Sequence, residues 1–188
     1  MHAGYPVMAH CGPAQSIASV EDIKFKPIWG IIHELGHNQQ RRCWEFPPHM
    51  TECTCNLWSL YVYETVIGFP REQIFHVCRS RLWTADYVKK GRDLKDWNTF
   101  VPLETYVQLV ETSGWDSIKT FFAAYHKMTN VPKDNRGKMN LYCVTFSETV
   151  GMNLTGFFKA WGWPIEGATE RRLSNLLDSV TFVSPHMR

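Results

Sequence analysis

The chain has 188 residues, 44% of them hydrophobic and 20% charged, and carries a net charge of +2. This length fits one domain with a core of its own, and this balance excludes a disordered polyelectrolyte. No run approaches the roughly 18 consecutive apolar residues of a membrane span, and no basic stripe invites a nucleic acid, because Arg41-Arg42 and Arg171-Arg172 are isolated pairs that read as solvated faces.

The opening Met1-His-Ala-Gly-Tyr-Pro6 lacks the basic region and long apolar run of a secretory signal. The cysteines Cys11, Cys43, Cys53, Cys55, Cys78 and Cys143 show no disulfide-framework spacing, so reduced thiols and a cytoplasmic location are expected. The sequon Asn153-Leu-Thr155 is then expected to stay unglycosylated. Residues 3–10 read as a short N-terminal strand, with Pro6 suited to an edge position. Residues 16–27 read as a turn that leads through Pro27 into a motif helix over about 28–40; the missing N–H of proline costs nothing at a helix start. Trp44, Phe46, Pro47 and Pro48 make 41–50 a loop. A second helix is expected over about 51–67, with Thr51 as its N-cap. Its apolar positions Leu57, Leu60, Tyr61, Val66 and Ile67 recur at helical spacing, and Gly68 with Pro70 stops it. Further helices are predicted at about 71–89, 103–112, 115–129, 140–150, 154–162 and 169–178, punctuated by Gly114, residues 130–139 and Gly162-Trp-Pro164. The prediction is one mainly α domain over 1–188, with a helical subdomain over about 71–180.

The motif helix carries Trp29-Gly-Ile-Ile-His33-Glu34-Leu-Gly36-His37-Asn-Gln-Gln40. Residues four apart share a helix face, so His33 and His37 can grip one metal ion while Glu34 reaches a water in an open coordination position. H-E-x-x-H with these roles is the zinc-protease pattern, and it needs a third ligand. Glu52, in the first turn of the second helix, is the candidate, because antiparallel helices joined by a loop of about ten residues bring such a position beside the first helix. One turn further on, Asn56 can bond the free ring nitrogen of a ligand histidine and fix its tautomer. Three ligands leave a fourth position for water, as a catalytic zinc requires. Zinc would acidify that water and polarise a peptide carbonyl, with Glu34 moving the proton to the leaving amine. His49, His76, His126 and Tyr142 are candidates to steady the tetrahedral intermediate. Glu64 and Glu148 read as structural or supporting carboxylates. Cys43, Cys53 and Cys55 raise the alternative of a thiolate zinc site, although residues two apart on a helix do not face the same way. Glu52 also has a plain reading, as an acid favoured by the helix N-terminus.

His33-Glu-Leu-Gly-His-Asn-Gln-Gln40, followed by Thr51-Glu52 and Asn56-Leu-Trp-Ser-Leu60, resembles the enhancin-type gluzincin peptidases, a group that includes mucin-degrading proteases. Ala3-Gly-Tyr-Pro-Val-Met8 and Asn153-Leu-Thr-Gly-Phe-Phe-Lys-Ala-Trp-Gly162 resemble family blocks as well, so the likeness spans most of the chain. Within that group Cys43-Trp-Glu-Phe-Pro-Pro-His49, Tyr61-Val-Tyr-Glu-Thr-Val66, Asp96-Trp97-Asn98, Leu103-Glu-Thr-Tyr-Val-Gln-Leu109 and Lys138-Met-Asn-Leu141 resemble the vertebrate TRP-channel-associated factors. The resemblance implies a helical gluzincin-like metallopeptidase lobe that binds Zn through His33, His37 and Glu52 and acts on a peptide or glycoprotein. It equally implies a non-catalytic regulator, cytoplasmic or peripheral at the plasma membrane, that binds a melastatin-type TRP channel, promotes its delivery and alters its gating. It further implies that this sequence is the C-terminal part of a longer chain and lacks most of the upstream sheet lobe, against whose edge strand a gluzincin substrate pairs.

Overall fold

A computed structural model of the chain describes residues 3–8, 15–25, 28–46, 50–78, 81–98 and 100–178. Residues 3–8 hold bends at Gly4–Pro6 and one bridge residue at Met8; residues 9 and 10 lie outside the described residues. Asn38 clamps this segment to the motif helix. The Gly4 N–H donates to Asn38 Oδ1 at 2.9 Å, and Asn38 Nδ2 donates back to the Gly4 carbonyl at 3.1 Å.

Where a turn is expected, α1 (Val20–Phe25) forms, for a reason written in the sequence as Ser19-x-x-Asp22. The Ser19 hydroxyl accepts from the Asp22 N–H at 3.1 Å, and two acids occupy the first turn, where the helix dipole favours them. The motif helix α2 (Trp29–Gln39) and the second helix α3 (Thr51–Val62) then pack face to face. Pro27, expected at the start of α2, lies outside the described residues. Their closest approach is at Gly36, where an added Cβ would stand 2.8 Å from both the Cα and the carbonyl oxygen of Cys55. Only a residue without a side chain lets the two backbones meet there.

Thr51 is the first residue of α3 rather than its cap. The cap position belongs to Met50, which makes no side-chain cap bond and is wholly buried, with the Tyr106 hydroxyl donating to its sulfur at 3.6 Å. At its other end α3 runs into a π-helical stretch, Tyr63–Ile67, which Gly68 closes with φ 87°, the left-handed conformation glycine adopts without cost.

The remaining helices build the body. They are α4 (Arg71–Cys78), α5 (Arg81–Lys89), α6 (Phe100–Tyr125), α7 (Asn135–Val150), α8 (Thr155–Ala160) and α9 (Gly167–Leu173). Gly114, with φ 75° and ψ 169°, breaks α6 at the predicted punctuation point. α7 starts earlier than the spacing suggests because the Asp134 carboxylate caps it, accepting from the Gly137 N–H at 2.8 Å. The last predicted helix is cut short. After α9 the chain extends, and β2 (Leu177–Asp178) pairs in parallel with β1 (Met152–Asn153), helped by Asn153 Nδ2 donating to Asp178 at 2.9 Å. That pair is the only sheet among the described residues.

The fold is mainly α, and no described helix is long and apolar enough to cross a membrane. Aromatic side chains dominate the core: Phe46, Tyr106, Phe121, Tyr142, Phe146, Phe158 and Trp161 are all but fully buried. The loop after α2 belongs to this core, since Trp44 and Phe46 plug into it and tie the closed end of the α2–α3 hairpin to the body.

Candidate metal centre

His33 and His37 project from α2 toward the first turn of α3, where Glu52 meets them. His33 Nε2 lies 3.1 Å from His37 Nε2 and 3.1 Å from Glu52 Oε2, and His37 Nε2 lies 3.5 Å from the same oxygen. A tetrahedral ion with bonds of about 2.0–2.1 Å holds its donors roughly 3.3 Å apart. The three atoms therefore already stand at the separations such an ion imposes. The side chains of both histidines are mostly buried, whereas that of Glu52 is 56% exposed, so the cluster opens to solvent on the Glu52 side.

The hydrogen bonds behind the rings settle what these atoms carry. His33 Nδ1 is 2.7 Å from Asn56 Oδ1. Asn56 cannot be flipped, because its Nδ2 donates to the Glu52 carbonyl and its Oδ1 also accepts from Trp29 Nε1 at 2.8 Å. His37 Nδ1 is 2.8 Å from Gln40 Oε1, and Gln40 is fixed in turn by its Nε2, which donates to the carbonyl of Thr51 and to Thr54 Oγ1. Both imidazoles thus donate from Nδ1, and in the neutral ring this leaves Nε2 as the lone-pair nitrogen. With both rings neutral, two Nε2 lone pairs and a carboxylate oxygen converge. Such a set of acceptors repels itself unless a cation sits between.

Glu34, the expected base, sits next to His33 on α2, half-buried, and among the described residues its carboxylate has no hydrogen-bond or ion-pair partner. Cys55 belongs to the same group of four potential ligands, whose atoms all lie within 4.8 Å of one another. Its sulfur is 3.4 Å from His33 Nδ1 and 3.6 Å from Nε2. Near-equal distances to the two nitrogens place it over the ring face, off the line of the Nε2 lone pair. Burial and the Glu52 carboxylate push this thiol up to about 12, so it stands as a neutral S–H donating to the Thr51 carbonyl. In this arrangement the thiol lies beside the His33 ring, within reach of the three donors. Cys53 is buried in the core, and Cys43 lies outside the cluster of potential ligands.

Other candidates fall elsewhere. Tyr142 is fully buried between Phe121, Phe146 and Trp163 and cannot reach the cluster: its ring serves packing. His126 lies at a tilt against Trp44 and lines a cavity of about 420 Å³ whose walls include none of His33, His37 and Glu52. His49 and the side chain of His76 lie outside what the structure describes. Glu64 ties Arg71 at 2.6 Å and accepts from Trp115 Nε1 at 2.8 Å, and Glu148 ties Arg172 at 2.8 Å, so both brace helices. Sequence reasoning passed over Gln40 and Trp29. The position of Gln40, three residues after His37 and so on the same helix face, was the available signal.

A model of the peptidase M60 family, enhancin and enhancin-like, matches residues 1–162. A TRPM8 channel-associated factor homolog of Danio rerio is 54% identical over 179 residues, which cover 94% of this chain and 20% of that protein. TRPM8 channel-associated factor 2 of Homo sapiens is 49% identical over 180 residues, with the same coverage of each. The chain therefore spans about a fifth of the length of these curated relatives. A crystal structure of a functionally unknown conserved protein from Bacillus anthracis str. Ames superposes with a TM-score of 0.79 at 24% identity, over 92% of this chain and 36% of that one, a likeness of fold.

Proposed function

Since the chain belongs to the peptidase M60, enhancin and enhancin-like family, we propose that it holds a zinc ion through His33, His37 and Glu52 and hydrolyses peptide bonds with Glu34 as the base. The observation that carries this reading is the convergence of three donor atoms at 3.1–3.5 Å, with each imidazole Nδ1 held from behind by an amide oxygen. Bound zinc supplies Lewis acidity, lowering the pKa of water toward about 7 and polarising a carbonyl. The chain's own residues do the rest. Asn56 and Gln40 keep each Nδ1 protonated and each Nε2 free. Glu34 takes a proton from the attacking water on its carboxylate and returns it to the leaving amine. The solvent-facing side of Glu52 is where a peptide or the peptide part of a glycoprotein would enter.

The ligand set is tested by metal content. Purified wild-type protein is expected to carry one zinc, His37→Ala and Glu52→Gln to lose it, and Glu34→Gln to retain it while losing hydrolysis. Undiminished zinc in both ligand variants would sink the assignment.

A second reading has its own support, the 49–54% identity to proteins named for a channel, TRPM8. In it the domain works as a binding module for a melastatin-type TRP channel at the cytoplasmic side of the plasma membrane, with zinc as a structural staple. The two readings part on Glu34. Equal channel surface delivery by wild type and Glu34→Gln in the full-length protein would favour the module, and loss of delivery in the variant would favour catalysis.

A further inference from the structure

The buried carboxyl of Glu45 lies in the loop between α2 and α3 and takes no part in the donor set. Glu45 is 7% exposed, and its Oε1 accepts from the Thr54 hydroxyl at 2.6 Å. Thr54 Oγ1 in turn accepts from Gln40 Nε2, and Gln40 Oε1 accepts from His37 Nδ1 at 2.8 Å. Each step has one possible direction. Gln40 must place its nitrogen toward Thr54, because that nitrogen also faces the Thr51 carbonyl, which can only accept. The hydroxyl of Thr54 has a single proton, and with its oxygen receiving Gln40 that proton points to Glu45. Glu45 is the terminal acceptor of the line and fixes the direction of its Thr54 step, while the Thr51 carbonyl shares in holding Gln40.

A second feature anchors the end of the line. Lys138, on α7 and itself 7% exposed, reaches back to donate to the Glu45 backbone carbonyl at 3.1 Å. The other oxygen of Glu45, Oε2, is buried with no hydrogen-bond partner. Keeping such a group in the interior costs free energy that an apolar residue would not.

We infer that Glu45, through Thr54 and Gln40, is a positioning residue for His37, holding its Nδ1–H tautomer so that Nε2 is offered to the metal. This rests on the metal reading for its consequence, but not for its geometry. Glu45 acts here as an acceptor and not as a charge. An amide oxygen can replace it, and an alkyl group cannot.

Two readouts test this in the intact chain. The first is the tautomer of His37 in metal-free protein, read by long-range nitrogen–proton NMR correlations. The Nδ1–H form is expected in wild type, Thr54→Ser and Glu45→Gln, and a mixture with Nε2–H in Thr54→Val, Gln40→Leu and Glu45→Leu. The second is zinc affinity by competition with a chromophoric chelator, where the broken variants are expected to bind about 10–100-fold more weakly and the conservative ones near wild type. Thr54→Val is close to isosteric, so where Glu45→Leu fails to fold, the Thr54→Val and Thr54→Ser pair decides. An unchanged tautomer and affinity in Thr54→Val would overturn the inference while leaving the zinc reading intact. Absence of zinc binding by wild type would overturn the zinc reading, and the tautomer would still decide the role of Glu45.

Discussion

The two histidines are held by different means, and the difference matters at the residue scale. His33 leans on Asn56, one helix turn from Glu52, so its support comes from the same helix as the third donor. His37 leans on Gln40 and, beyond it, on a buried acid. Burial pushes Glu45 up to about 8, against the lowering pull of the Thr54 hydroxyl and the Lys138 charge. A carboxyl raised in the folded state holds its proton longer folded than unfolded. Its stabilising contribution is therefore full below the ordinary carboxylate range and is lost as pH climbs toward about 8. Between about pH 5 and pH 9 this loss is on the order of 3 kcal/mol. Urea titrations at the two ends should show Glu45→Gln losing less stability than wild type, and parallel losses would exclude a titrating Glu45.

At the scale of elements, the site is a property of the α2–α3 contact. Gly36 and Cys55 set the distance between the helices, and that distance sets where Glu52 meets the histidines. Gly36→Ala gains about 1 kcal/mol of helix propensity, but its Cβ would meet backbone atoms at 2.8 Å, which a rotamer change cannot relieve. The expected net result is destabilisation by about 1–3 kcal/mol in urea unfolding, together with weaker zinc binding, as the helices are forced apart. Unchanged stability would mean that the hairpin can slide. This is also the scale at which the sequence was most legible. The helices about the motif, the place of Glu52 in the first turn of α3, Gly68 and the break at Gly114 appear as the spacing predicts, because helical periodicity and glycine's left-handed freedom are local properties. The start of α1 at Ser19 and the cap of α7 at Asp134 were equally local, yet the weak six-residue α1 and the polar first turn of α7 carry too little apolar pattern to be seen.

At the scale of the molecule, an aromatic core holds the loop that holds the site. Trp44 and Phe46 pack on the rings of α6 and α7, while Lys138 grips the backbone between them, so the candidate metal site is coupled to the body through the loop. Zinc bound only by the folded chain adds about 2.7 kcal/mol at a free concentration one hundred times its Kd. A chelator is therefore expected to lower the Tm by about 5–10 °C, and Glu52→Gln to melt at the chelated value with or without zinc. A chelator with no effect on wild type would show that the ion is not linked to folding. Leu35 and Trp58, on the two site helices, remain 50% and 38% exposed.

The sequence alone determined the pair His33 and His37, the adjacent Glu34 and the register of Glu52 and Asn56, since each is a matter of spacing along one helix or across a short loop. Only the tertiary structure decided that Tyr142 turns into the core, that Cys55 lies over an imidazole face, and that Glu45 reaches His37 through Thr54 and Gln40. Those outcomes depend on how two helix faces and a loop close on one another. The direction a side chain takes across such a contact follows from packing and from satisfying each buried donor, and no period along the chain encodes it.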